Sequence, residues 1–296
     1  MKSLHALLAA ALVLSAPAAV RAFEGTLKLR TISVDRADLA KVNGGKPPDV
    51  DQTLAITAQQ LIDAKDAGAQ VRESTVYVTD KKVRMDAPLE KGKSGYAIID
   101  TEKNTTWFVV PDEKRYIEWS EADAAAMSQK MAQVEKMMRE RMESMPPDQR
   151  AQVEAMLKKM KAAGEDGAAS SVDIKPTGKS QKVNGMQATA FEVTEGGETM
   201  VGWVTQEQPD LAKVLRKVQD RMQKMTPPSM RGRQTARTAL NDKGFPIMVQ
   251  TLDPEHYRVE EVVTVEKKSV PADLFTLPQD FTKTTARDAL NSLPKQ

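Results

Sequence analysis

The chain has 296 residues, no cysteine, and 43 basic against 41 acidic side chains. Without cysteine it can form neither disulfides nor thiolate metal sites, and it cannot carry a lipid on an N-terminal cysteine. The near-neutral charge argues against a nucleic-acid-binding protein, because such proteins carry a basic excess. A chain of this length can bury a substantial core in one large domain or two small ones.

The first 22 residues have the pattern of an export signal. Lys2 precedes an apolar stretch from Leu4 to Leu14, and Val20-Arg21-Ala22 offers a cleavage site with Ala at −1 and Val at −3. This stretch is shorter than the roughly 20 residues that span a bilayer, and a retained amphipathic anchor is the alternative. We therefore expect a signal peptide over 1–22 and a periplasmic protein without an integral membrane span. Cleavage would lower the basic count from 43 to 41, equal to the 41 acidic residues.

Alternating apolar and polar residues predict short strands along most of the remaining chain. Residues 51–67 are weakly helical in pattern. The connections between residues 71 and 119 are too short for parallel crossovers, so they predict antiparallel hairpins. The predicted strands are Phe23–Val34, the segments around Val76–Val78 and Val83–Met85, Gly95–Asp100, Thr105–Val110, Arg115–Trp119, Val172–Lys182, Ala188–Thr194, Met200–Val204, Phe245–Asp253 and Tyr257–Lys268.

The pattern takes a helical period in two places. Residues 121–164 contain eight of the 16 methionines and predict a helical hairpin that breaks at Pro146-Pro147, with Ser120 as its N-cap. A second amphipathic helix is predicted over 206–225. Strands interrupted in this way predict the α+β class, with one curved antiparallel sheet and helices segregated on one face.

Three strand and turn motifs and a closing segment resemble known families. Residues 75–86, 97–100 and 109–116 resemble DUF4412, a domain family of unknown function. Residues 270–278 are similar to the final segment of lipoprotein-carrier-like proteins of the LolA/LppX type. The resemblance implies a half-open β-barrel, LolA-like, whose concave face is covered by helices. We expect a single LolA-like domain over 23–282 with a helical insert at about 121–164, because strands continue on both sides of the insert, and a polar tail over 283–296.

In the carrier relatives, the concave cavity holds acyl chains or hydrophobic partners. The resemblance therefore implies a binding, carrier or chaperone-type protein that shelters a lipid or a lipidated partner. DUF4412 supplies no established catalytic or binding residues, so the expected ligand-binding residues come from the methionine stripe and the strand tryptophans. They are Met127, Met131, Val134, Met138, Met142, Leu157, Met160, Trp107, Trp119 and Trp203.

The methionine stripe leaves three interpretations open. Its side chains could pack the helices against the sheet, or they could form an adaptable lid over an apolar cavity, because methionine is flexible and polarizable. Thioether ligation of Cu(I) is the third, suggested by Met142-x-x-Met145 and Met222-x-x-Met225. An envelope structural or interaction protein that docks a partner on these helices is the alternative function.

The sequence offers little for catalysis. One histidine, His256, remains after the expected cleavage, and we expect it to lie solvated near a turn. Pro176–Ser180 lacks the first glycine of a phosphate-binding loop and is interpreted as a polar turn. We therefore expect a protein that is not an enzyme and that has neither a cofactor nor a metal site.

Overall fold

The computed structural model describes residues 23–46, 48–88, 93–143, 172–195, 198–225 and 235–284. The expected signal peptide, the second helix of the hairpin and almost all of the polar tail lie outside these ranges. None of the helices in the described part of the chain is long and apolar enough to cross a membrane.

Twelve strands in the described ranges form one sheet. In chain order they are β1 (Gly25–Asp35), β2 (Gln70–Val78), β3 (Lys82–Pro88), β4 (Ser94–Asp100), β5 (Thr105–Val110), β6 (Arg115–Ser120), β7 (Asp173–Val183), β8 (Met186–Glu195), β9 (Glu198–Thr205), β10 (Phe245–Leu252), β11 (His256–Lys267) and β12 (Thr282–Thr284).

The sheet joins two meanders. Strands β1 to β6 pair in chain order, as do β7 to β11, and β11 pairs with β1. The spatial order is therefore β12-β6-β5-β4-β3-β2-β1-β11-β10-β9-β8-β7. All pairs are antiparallel except β12 with β6. Since the two edges are different strands, the sheet is open, and it confirms the expected α+β class and mainly antiparallel sheet.

Six α-helices are described: α1 (Leu39–Val42), α2 (Val50–Ala55), α3 (Ala58–Asp63), α4 (Glu121–Glu143), α5 (Pro209–Met225) and α6 (Thr235–Lys243). As predicted, Ser120 caps α4: its hydroxyl accepts a hydrogen bond from the Asp123 N–H at 3.2 Å, and its own N–H donates to the Asp123 carboxylate at 2.9 Å.

The main core contains side chains from both meanders and is covered by α2, α3 and α5. Leu61 of α3, Leu211 of α5 and Tyr257 of β11 are fully buried in it. Trp203 of β9 belongs to the same cluster and is 8% exposed. Residues from both meanders therefore stabilise each other through one shared apolar cluster.

Helix α6 lies on the other face of the sheet. Val204, which follows Trp203 on β9, belongs to a second buried cluster with Leu240 of α6. Consecutive strand residues point to opposite faces, so α5 and α6 cover opposite faces of β9. The expectation that all helices lie on one face is therefore wrong for α6, a helix that the sequence pattern did not predict.

Candidate functional site

Four apolar residues occupy directly paired positions on β3, β4, β5 and β6. Met85 pairs with Ala97, Ala97 with Phe108, and Phe108 with Ile117. Directly paired residues share one face of a sheet. We call Met85, Ala97, Phe108 and Ile117 the apolar row.

The apolar row continues the main core beyond the point where the core is covered. Towards β1, Met85 pairs with Val76 and Val76 with Leu27, which are 4% and 2% exposed. Met85 is 39% exposed and Phe108 is 40% exposed. The same line of side chains is therefore buried on β1 and β2, exposed at Met85 and Phe108, and half-buried at Ala97 and Ile117.

A second line of paired residues lies beside the apolar row, on the same face. Val83 pairs with Ile99, Ile99 with Thr106, and Thr106 with Trp119. Val83, Ile99 and Thr106 are buried, and Trp119 is half-buried. The apolar row is thus bordered on this side by the covered core.

Arg221 lies beyond this second line, where α5 approaches the turn between β4 and β5. It is only 8% exposed, and its Nη2 donates to the Asn104 carbonyl at 2.5 Å. Its Nη1 lies 3.4 Å from the Glu121 carboxylate at the start of α4. Its Nε is buried and has no hydrogen-bond partner among the described residues. Arg221 therefore links α5, α4 and the β4–β5 turn.

Trp107 lies on the opposite face of the sheet. It pairs with Ile98 and Glu118 and donates its indole N–H to the Glu118 carboxylate at 3.1 Å. This face is covered by the segment after β11, because Val270 and Phe275 are buried against Ile98. Trp107 is therefore part of a structural contact on the covered side.

Trp203 takes part in a buried polar network. Its indole N–H donates to the side-chain oxygen Oε1 of Gln250 at 2.9 Å. The Gln250 side-chain amide donates to the Leu54 backbone carbonyl and the Tyr257 hydroxyl, each at 2.8 Å. Burial raises the pKa of Tyr257 well above its ordinary value. The Tyr257 hydroxyl also donates to the Ile56 backbone carbonyl at 3.2 Å, and this contact fixes the chain after α2 to the sheet.

The predicted ligand-binding residues do not form one site in the described structure. Trp107 faces away from Trp119, and Trp203 is inside the core. Met127 is half-buried near the start of α4. Met131, Val134, Met138 and Met142 lie on α4 without a described side chain, and Leu157 and Met160 lie outside the described residues. The lining role of the methionine stripe and its ligation of Cu(I) stay predictions.

Sequence reasoning missed Met85, Phe108 and Arg221. Their signal was weak, since Met85 and Phe108 each occupy an ordinary apolar position of an alternating strand. Only the pairing register places the two on one face.

Few described residues suggest a metal centre. His256 lies at the start of β11, with Nε2 3.3 Å from the Asp35 carboxylate and Nδ1 3.6 Å from that of Asp253. Within the described ranges there is no group of three or more histidine, cysteine, aspartate or glutamate residues placed to hold a metal ion.

These features define a mixed α+β protein built on a large, open and mostly antiparallel sheet. The chain belongs to the DUF4412 family, a domain of unknown function whose model matches residues 121–281. The match includes the closing segment 270–278, whereas the strand motifs at 75–116 precede it.

No curated protein matches this chain. Among solved structures, PNGF-II in the C2 and P21 space groups is similar, at 11% identity and a TM-score of 0.36. The similarity covers 90% of this chain and 32% of the other, so this chain spans about a third of that protein's length.

Proposed function

We propose that this protein is a non-enzymatic carrier or chaperone-type protein that shelters a hydrophobic ligand, a lipid or a lipidated partner, outside the cytoplasm. The observation that carries the proposal is the exposure of Met85 and Phe108 in a line continuous with the main core. Covering apolar surface of this kind contributes about 25 cal/mol per Å². A ligand chain on the apolar row would therefore extend the buried core.

The finer parts of the proposal concern shape and location. We propose that the open sheet is a half-open β-barrel of the LolA type and that residues 1–22 direct the chain to the periplasm. The proposal is supported by the pairing of β1 with β11, which joins two meanders into one sheet, and by the basic and apolar pattern of the N-terminus.

Binding of a neutral fluorescent apolar probe, N-phenyl-1-naphthylamine, by the full chain tests the proposal. We expect Phe108→Ser to weaken probe binding about fivefold, because roughly 1 kcal/mol of apolar burial is lost. The matched control is Val71→Ser, which changes another exposed apolar strand residue, 44% exposed and outside the apolar row. It should leave binding unchanged.

Lipid extraction and native mass spectrometry of the protein purified from its own host give a second, independent measurement. We expect a bound hydrophobic molecule to be recovered with the folded protein. A folded protein that carries no lipid and does not bind the probe would contradict the proposed function.

A second candidate function is an envelope protein that docks a partner through α4. The observation that favours it is the exposure of α4, on which Met137 is 52% exposed and Ala124 is the single buried residue among the side chains described. Met137→Glu should then abolish partner capture and leave probe binding unchanged. The opposite pattern, loss of probe binding with capture intact, would favour the carrier.

A further inference from the structure

Arg221 interrupts the apolar stripe of α5 with a buried charge. Leu211, Val214 and Val218 of this helix are buried in the main core, and Arg221 continues their spacing of three and four residues. A buried guanidinium is costly unless its donors are paired. An apolar residue at this position would stabilise the fold more, so the buried charge suggests a functional role for Arg221.

The pairing of Arg221 is incomplete in the described structure. Of its five N–H donors, one is close to the Asn104 carbonyl and one reaches the Glu121 carboxylate at 3.4 Å. Glu121 has a side chain that is 58% exposed, and the buried Nε has no partner among the described residues. Glu121 thus shows that a carboxylate can reach this guanidinium, but the contact is long and solvent-exposed and is therefore weak.

Arg221 lies at one end of the exposed apolar surface, beside the strand ends of β5 and β6. Glu121 directly follows β6 and Asn104 directly precedes β5, so Arg221 lies at these two strand ends, and Trp119 is two residues before Glu121. From Trp119 the same face leads to Ile117, two residues or about 7 Å along β6. Ile117 pairs with Phe108 in the apolar row. A cation at one end and open apolar side chains beyond it match an amphiphile with an anionic head.

We propose that Arg221 binds the carboxylate of a fatty acid in place of Glu121, while the acyl chain lies on Trp119, Phe108 and Met85. This inference rests on the proposed function, because it names the class of ligand for the apolar row. A carboxylate suits the planar guanidinium, which can bind both of its oxygens at once. The start of α4 adds a partial positive charge at the same place.

Displacement of N-phenyl-1-naphthylamine from the full chain by decanoate and by decanol at pH 8 tests the inference, because the two competitors share an alkyl chain length and differ in head group. We expect the wild type to bind decanoate about tenfold more tightly than decanol, the effect of one charge-assisted hydrogen-bonded contact. Arg221→Met should remove this preference and leave decanol binding intact.

Glu121→Gln provides a gain of binding that a folding defect cannot imitate. Since it removes the competing carboxylate, decanoate should bind about threefold more tightly at low salt, as for one unit charge roughly 6 Å away in water, while decanol is unaffected. The matched control is Arg237→Met, because Arg237 also pairs with a glutamate, Glu260 at 2.7 Å, but lies on α6. It should change neither competitor.

The outcomes separate the two proposals. If both competitors bind, Phe108→Ser weakens both, and neither Arg221→Met nor Glu121→Gln alters the preference, the head-group assignment is overturned and the carrier function stands. Equal binding of decanoate and decanol by the wild type has the same meaning. If the wild type binds neither competitor and does not bind the probe, the carrier function fails and the fatty-acid assignment fails with it.

Discussion

Gly202 of β9 permits the close packing of α6, and its substitution gives a sharp test of the fold. A Cβ added at this position would lie 2.5 Å from Cδ1 of Leu240 and closer still to Cδ2. Leu240 is fully buried among Val204 and Val249, so it cannot turn aside without displacing them. Overpacking of this kind costs about 1–3 kcal/mol, and we expect Gly202→Ala to lower the free energy of unfolding by that amount.

The effect of Gly202→Ala on the free energy of unfolding should change sign when Leu240 is replaced by alanine. Leu240→Ala alone should cost about 2–5 kcal/mol, because it leaves a cavity. In that background the Cβ introduced by Gly202→Ala meets no leucine, and replacing a glycine restricts the unfolded chain, which contributes about 0.4–1 kcal/mol. Urea unfolding followed by circular dichroism measures all four proteins. Additive effects of Gly202→Ala and Leu240→Ala would refute the packing of α6 on β9.

Two further predictions concern charged contacts. Asn184→Asp should destabilise the protein by about 1–3 kcal/mol at pH 7, because the Asn184 amide donates to the buried Glu261 carboxylate at 3.2 Å and an aspartate would repel it. Repulsion between the two neighbouring carboxylates of the variant favours protonation of one of them in the folded state, so the lost stability should return as the pH falls. Parallel pH profiles of thermal unfolding for wild type and variant would contradict this. Hydrogen bonds from Lys283 and then Trp107 hold the pKa of Glu118 below its usual range, so their stabilisation is complete above the unfolded pKa and is lost as the pH falls through the lowered one. Hydrogen exchange should therefore show β12 less protected in acid than at pH 7, and Lys283→Gln should already reduce its protection at pH 7; equal protection in all three cases would argue against the contact.

Most strands could be predicted because their signals are local. Asn184-Gly185 predicts a two-residue hairpin, and both residues have the positive φ that such a turn requires, 47° and 85°. Val183 and Met186 then pair directly across it. The alternation of apolar residues and the turn residues between them reflect interactions within a few positions, so they are readable without the fold.

The elements that were missed depend on distant contacts. Helix α6 has nine residues, and its buried apolar residues are Ala236 and Leu240. Both pack against strands of the second meander. Strand β12 has three polar residues, and it is a strand because it pairs with β6, far away in the sequence. Neither element carries enough apolar periodicity of its own to be recognised.

The tryptophans show why a site could not be assembled from strand positions alone. Trp107 and Trp119 belong to neighbouring strands and were both expected to face the ligand. The register pairs Trp107 with Glu118 and Thr106 with Trp119, and a one-residue difference in register exchanges the two faces of a strand. The hairpin turn sets that register, and β5 carries apolar residues on both of its faces, so its hydrophobic pattern does not choose between them.

The burial of Arg221 on α5 could not be predicted from the sequence either. The apolar stripe that the sequence predicts for the helix over 206–225 does not include Arg221; it consists of Leu211, Val214, Leu215, Val218, Met222 and Met225. The structure buries Arg221 as deeply as Val218, beside an exposed glutamate and an incompletely covered sheet face. Arg221 breaks the rule that buried positions of a helix are apolar, and it does so close to the exposed apolar row. Such departures are expected at functional sites. The proposed amphiphile would account for both the cost of the buried charge and the exposure of Phe108, because it would cover the ring and pair the guanidinium.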